Sequence, residues 1–297
     1  MKTTQLIYDA KRDFLRVRDF LKKNHYRDGK PRNWGLERWN WARFHPSMFC
    51  EQNPEKTTEH ITLWESAVQL WQDKVGNIVA LAHIETPFAG GEVYLQRLTD
   101  SPKVLDEMFA YMEQKLVHPE TGDICFPIYE YDAVLTEKAL EWGYIRDEKS
   151  CWHNSEFDLQ HIPMPDLKEG FTIGSMDDNG NLSKYCKGLG LGFNHSDPAE
   201  WSTPAEYKDM QKAPDYNPNL NLFVEANGEY VCCCCFWYDD YNKIGFLEPL
   251  ATQPDYRRMG FGRELVYEGL RRIKKLGGEQ KPMSVLPWIS IKPLALS

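Results

Sequence analysis

The chain has no run of the roughly 18 apolar residues that a membrane-spanning helix needs, and Met1 to Arg12 is polar and charged, with no apolar stretch of the kind a secretory signal carries. A cytoplasmic protein with no membrane partner is expected. Nor is there a basic surplus. Lys and Arg number 35 against 44 Asp and Glu, a net charge of −9, which argues against a nucleic-acid partner, because phosphate binding draws on a basic surface. The same balance favours a cationic acceptor such as an amine. Metal-ligand spacing is missing too. Cys50, Cys125, Cys151 and Cys186 are scattered, and the other four cysteines are consecutive, Cys232 to Cys235, inside an apolar run. Successive strand residues point to opposite faces, so these four cannot close one tetrahedral site. They read as reduced, buried, small apolar residues, and no metal is expected.

What is present is enough for two domains. The 297 residues are about twice the commonest domain length, with 42% apolar and 27% charged residues. Asp158 to Gly170 carries two prolines and a glycine with little periodicity, so the expected domains are 1–160 and 170–297. In the first, Phe14, Val17, Phe20 and Leu21 recur at helical spacing, and Trp34 to Phe44 reads as a second helix. Strands are expected at 67–72, 77–85 and 92–98, and Ser101-Pro102 opens a helix with Val104, Leu105, Met108 and Met112 on one face. The second half repeats that order. A strand at 171–175 precedes a Gly-, Tyr- and Trp-rich stretch, then come a hairpin across Asn227-Gly228, a strand at 244–252, and a helix from Arg263 that stops at Gly277-Gly278.

The segment that carries chemistry is Leu247 to Leu265, a strand and a short turn followed by Arg257-Arg258-Met259-Gly260-Phe261-Gly262 at the start of a helix. A helix N-terminus offers unpaired N–H groups and partial positive charge, a natural cradle for pyrophosphate. Glycines at 260 and 262 let the backbone approach phosphates, and Arg257 and Arg258 add cationic donors. In this context the turn resembles motif A of the GNAT superfamily of acetyl-CoA-dependent N-acetyltransferases, Gln/Arg-x-x-Gly-x-Gly/Ala between a fourth strand and a third helix. The fold class this implies is α/β, more narrowly α+β: two tandem GNAT-like domains, each a mixed, mostly antiparallel sheet flanked by helices. The resemblance also implies acetyl-CoA as co-substrate. The backbone of Leu250, Ala251 and Thr252 would pair with the pantetheine arm, and the amides from Arg257 through Met259 and Phe261 to Gly262 would hold the pyrophosphate. A general base is required for the amine. Glu248, on the strand entering the turn, and Glu225, on the neighbouring strand, are the candidates, and His195 and Asp197 lie in a loop that would cover the acceptor site. The acceptor is expected to be a small-molecule or peptide amine. A non-catalytic acyl-CoA-binding or scaffold protein is the alternative, and oligomeric state is left open.

Two departures from the family pattern stand out. In the first half, Thr99 to Leu105 occupies the place of the phosphate turn without a glycine or an arginine, so this domain is expected to lack the cofactor turn. After Gly278 the family would continue with a strand, a helix and a Gly-Phe strand, which the remaining residues do not supply. Read out of frame from Pro287, the tail's codons are compatible with Asp-Phe-Tyr-Lys-Ala-Ile-Gly-Phe-Glu. The resulting expectation is a frameshift that replaced the end of the second domain, leaving its C-terminal strands incomplete.

Overall fold

The computed structural model describes residues 2–45, 53–87, 92–151, 157, 159–178, 180–278 and 289–293. They divide into two compact units, Met1–Ala42 with Thr58–Asn154 and Leu286–Ser297, and Arg43–Thr57 with Ser155–Val285. Residues 279–288 and 294–297, on which most of the frameshift expectation rests, lie outside the described residues.

Up to residue 151 the elements are β1 (Thr4–Ile7), α1 (Ala10–Asn24), β2 (Tyr26–Arg27), β3 (Lys30–Pro31), α2 (Leu36–Phe44), α3 (Pro54–Ser66), β4 (Gln69–Gln72), β5 (Ile78–Ile84), β6 (Val93–Arg97), α4 (Pro102–Lys115), β7 (Phe126–Pro127), α5 (Ala133–Glu141) and β8 (Tyr144–Cys151). Helix α1 starts where Asp9 accepts from the Arg12 N–H at 3.0 Å, and it buries the stripe Phe14, Val17, Phe20 and Leu21. Strands pair antiparallel in the order β1-β4-β5-β6. Helix α4 sets Val104, Leu105, Met108, Phe109 and Met112 into the core beside Ala80, Ala82 and Val93. A second sheet runs β7-β13-β8, in which β13 (Ile289–Pro293) pairs antiparallel with both neighbours. Strand β6 touches β7 at one parallel bridge, Glu92 with Cys125, where the Val93 N–H donates to the Cys125 carbonyl at 2.8 Å.

His83 on β5 is fully buried, and burial holds its imidazole down to about 3. The folded chain therefore keeps it neutral while the unfolded chain takes up a proton below the ordinary value near 6.5. Stability conferred by the neutral ring is present above that value and is lost as pH falls, by about 1.4 kcal/mol per pH unit, or about 2 kcal/mol at pH 5. Urea midpoints of wild type and His83→Phe at pH 7 and pH 5 test this. The wild type should lose more of its stability between the two pH values, and equal losses would show that His83 does not titrate in this way.

The second unit repeats the order of the first: β9 (Thr172–Ser175), α6 (Leu182–Gly192), α7 (Pro204–Met210), β10 (Asn221–Ala226), β11 (Glu229–Asp239), β12 (Ile244–Thr252) and α8 (Phe261–Lys275). Its antiparallel sheet has the order β12-β11-β10-β9, the counterpart of β6-β5-β4-β1, with α8 following the last strand as α4 does. Asn227 and Gly228 both take positive φ, 51° and 79°, in the two-residue hairpin turn between β10 and β11. Thr203 and Glu206 close a reciprocal cap on α7. Cys232 and Cys234 pack with Leu265 and Leu270 of α8, and all four consecutive cysteines are buried and free.

Candidate functional site

Strand β12 is the edge of its sheet, so among the described residues no strand covers its outer side. Between the pairs Leu247 with Phe236 and Leu250 with Cys234, Glu248 and Pro249 together face the single residue Cys235. Proline has no N–H for the ladder, and a bulge on an edge strand accommodates it. The Trp237 indole N–H donates to the Glu248 carbonyl at 3.1 Å and pins this bulge.

Past Thr252 the chain makes one short turn, with the Tyr256 N–H on the Gln253 carbonyl at 3.0 Å and the Arg257 N–H on the Pro254 carbonyl at 3.2 Å. Arg258 and Gly260 then take positive φ, 61° and 91°, which aims the chain into α8. Phe261 anchors the start of the helix, buried against Phe171 with ring centroids 4.4 Å apart. The first helical bond is Glu264 N–H to the Gly260 carbonyl at 3.1 Å. Ahead of it the N–H groups of Gly260, Phe261, Gly262 and Arg263 have no acceptor among the described residues, and Gly260 contributes no side-chain cap. Four donors without acceptors at the positive end of a 15-residue helix are the chemistry that suits an anion.

The two arginines of the turn do different things. Arg257 Nε donates to the Thr252 carbonyl at 3.0 Å, and its terminal nitrogen donates to the Gly192 carbonyl at 2.9 Å and Asn194 Oδ1 at 2.6 Å. Its guanidinium therefore ties the end of β12 to the end of α6, leaving Arg258, exposed at the surface, as the turn's outward cation. Sequence reasoning missed Gly192 and Asn194. A Cβ on Gly192 would come within 2.7 Å of the Ala251 Cβ and 3.1 Å of the Thr252 nitrogen, so only glycine lets α6 lie against this strand. The signal was the run Gly188-Leu189-Gly190-Leu191-Gly192, whose residues 188 and 192 share a helix face.

The carboxylate candidates do not come together. Glu248 is half-buried at the bulge. Glu225 pairs across the hairpin with Tyr230, five residues along β11 from Cys235, which puts it roughly 16 Å along the sheet from Glu248. It is ion-paired to Lys184 Nζ at 3.1 Å. His195 pairs with Glu200 at 3.3 Å on the surface, and Asp197 accepts from the Ala199 N–H at 2.9 Å, a local turn. Cys232 lies beside β12, its sulfur 3.1 Å from the Thr252 hydroxyl, and burial pushes its thiol up to about 11, which disfavours the thiolate that a nucleophile needs.

At the matching place in the first unit, α4 begins with Pro102, which has no N–H, and the Ser101 N–H is taken by the Thr99 hydroxyl at 3.2 Å. The outer edge of β6 is also occupied. Asn33 Oδ1 accepts from the Arg97 N–H at 2.6 Å, and Asn33 Nδ2 donates to the Arg97 carbonyl at 3.1 Å, so its carboxamide mimics a paired strand. This unit therefore offers fewer donors at that helix start than the second, and its strand edge is not open.

Residues 191–285 match the sequence model of the acetyltransferase (GNAT) family. This stretch is similar in sequence to that family. No curated protein sequence matches the chain. Among solved structures it is similar over its whole length to a tandem GNAT protein from the clavulanic acid biosynthesis pathway, at 10% identity and a TM-score of 0.62, with 98% of this chain and 97% of that one covered. A glucosamine N-acetyltransferase region in a fungal multi-domain β-N-acetylglucosaminidase gives 13% identity and a TM-score of 0.52, covering 98% of this chain and 38% of that one. A Drosophila protein gives 16% and 0.50, with 99% of each chain covered. Identities this low carry the fold, which is two GNAT-like units in tandem. The GNAT fold supports acyl transfer in general. Among the described residues no helix is long and apolar enough to cross a membrane, and no three His, Cys, Asp or Glu side chains are grouped to hold a metal ion.

Proposed function

We propose that this protein is an N-acetyltransferase that moves an acetyl group from acetyl-CoA to a primary amine of a small molecule or peptide. The observation that carries the reading is the set of four N–H groups, Gly260 to Arg263, without acceptors at the N-terminus of α8, next to the open edge of β12. The donors suit a pyrophosphate, Arg258 adds a cation, and the backbone of Leu250 to Thr252 offers an extended thiol arm a strand to lie against. The net charge of −9 favours a cationic acceptor, not a nucleic acid.

The amine nitrogen attacks the thioester carbon, a C–N bond forms, the C–S bond breaks and the thiolate leaves. A protonated amine has no lone pair, so a base must take its proton. Glu248, held at the bulge, is the residue proposed for this role; Glu225, committed to Lys184 and far along the sheet, is set aside. With Cys232 protonated and buried, the acetyl group passes directly to the amine and not through an acyl-cysteine.

Calorimetric titration should show one acetyl-CoA per chain, and an amine panel with a thiol-release readout should identify acceptors. Absence of binding would overturn the reading, and binding without turnover of any amine would favour a non-catalytic acyl-CoA-binding protein. Glu248→Gln should leave acetyl-CoA affinity unchanged and lower kcat by about 10²-fold or more, with the loss greatest at low pH, where the amine arrives protonated, and smaller as pH rises. A pH profile identical to wild type would remove Glu248 from the role of base.

A further inference from the structure

The last residues of β12 are held between two helix ends. A Cβ on Gly192, which closes α6, would lie 2.7 Å from the Ala251 Cβ, and one on Gly262, in the first turn of α8, would lie 3.8 Å from the Leu250 and Thr252 side chains. Successive strand residues point to opposite faces, so α6 ends on one face of the strand and α8 begins on the other. Arg257 joins the first of these helix ends to the strand. Its Nε–H donates to the Thr252 carbonyl at 3.0 Å, and its Nη2–H donates to the Gly192 carbonyl at 2.9 Å and to Asn194 Oδ1 at 2.6 Å.

Asn194 takes a left-handed φ of 67°, and the turn it makes carries its carboxamide oxygen to the guanidinium. The Phe193, Asn194 and His195 N–H groups take the Leu189, Leu191 and Gly190 carbonyls, and the Gly192 carbonyl is taken by Arg257. A cation at the negative end of a helix offsets its dipole. Both helix ends meet at Thr252, so an anion held by the N–H groups of Gly260 to Arg263 finds the negative end of α6 already capped. Turning the guanidinium toward a phosphate would break these bonds and leave the Gly192 carbonyl without its donor.

We infer, on the acetyl-CoA reading above, that Arg257 is a positioning residue and not a phosphate ligand: with Asn194 it locks the end of α6 to Thr252, and so fixes the strand edge beside which the cofactor lies.

Calorimetric titration of the full-length protein with acetyl-CoA tests this. Arg257→Lys keeps the charge but not the planar fork that spans Thr252 and α6, and it should weaken acetyl-CoA binding about tenfold. Asn194→Gly suits the left-handed φ and removes only the carboxamide. It should weaken binding about threefold, whereas an arginine that held phosphate would be freed by the same change to bind as well or better. The double variant should bind no worse than Arg257→Lys alone, because both changes break one lock. Ligand-free melting curves confirm that the variants fold, and if Arg257→Lys does not, Asn194→Gly decides alone. Wild-type affinity in Arg257→Lys, unchanged or tighter binding in Asn194→Gly, or additive losses in the double variant would overturn the lock while the wild type still binds acetyl-CoA. A wild type that binds no acetyl-CoA would overturn the cofactor reading and this inference with it.

Discussion

Asp132→Asn should destabilise the first unit by about 3–5 kcal/mol, a large share of the roughly 5–15 kcal/mol that holds a domain folded. The substitution is nearly isosteric, and asparagine serves well as an N-cap, so α5, whose Leu135 N–H donates to Asp132 Oδ1 at 3.2 Å, keeps its start. What is lost is the charge opposite Arg97, which is 4% exposed and would be left with Asp100 at 3.1 Å as its other carboxylate. A buried guanidinium that loses its bidentate partner cannot recover its hydration, and that penalty dominates. Urea unfolding would measure the loss. The double variant Arg97→Met with Asp132→Asn should recover most of it, because the penalty belongs to the unpaired charge and the two changes couple. A single-variant loss below about 1 kcal/mol would show that the pair is well solvated and not a lock where β6 parts from β7.

Gly260→Val should lower acetyl-CoA affinity by about a hundredfold, the equivalent of one or two charge-assisted hydrogen bonds. At φ 91° a β-branched residue is strained by about 1–3 kcal/mol, and relief of that strain turns the donor groups of Gly260 to Arg263 away from a common point. The space is not the obstacle, since a Cβ there would meet only the far end of Arg263 at 3.5 Å. Gly262 is the control. It has ordinary φ within the first turn of α8, and a Cβ would touch Leu250 and Thr252 at 3.8 Å, normal contact. Gly262→Ala should therefore raise stability by about 0.5–1 kcal/mol while binding is kept. Calorimetry and thermal melts on the two variants separate the effects; normal acetyl-CoA binding by Gly260→Val would place the pyrophosphate elsewhere.

Much of the second unit was legible because its signals are local. Asn227-Gly228 demands the hairpin turn, and the apolar stripe Leu265, Leu270 and Ile273 after Gly260 and Gly262 demands a helix that begins in the turn. Other features hid because their causes are distant in the chain. Strand β1 has three of its four residues exposed, so its sequence shows no buried face, and it becomes a strand only by pairing with β4 more than 60 residues away. The Gly-, Tyr- and Trp-rich stretch 181–211 reads as mixed helix and loop, yet its residues 182–192 form the regular helix α6, since Gly188 and Gly192 give the helix close approach to β11 and β12, which propensity cannot see.

By itself, then, the sequence determined the central strands and the longer amphipathic helices of each half, the strand, turn and helix after Leu247, and the absence of such a turn in the first half, because turn chemistry and periodicity act over a few residues. The tertiary structure alone decided what each polar group was used for. It turned Arg257 inward to Gly192 and Asn194, separated Glu225 from Glu248 by strand register, filled the edge of β6 with Asn33, and set β13 between β7 and β8. Hydrogen bonds and ion pairs are short-ranged in space but not in sequence, so their partners are fixed only when the chain has packed.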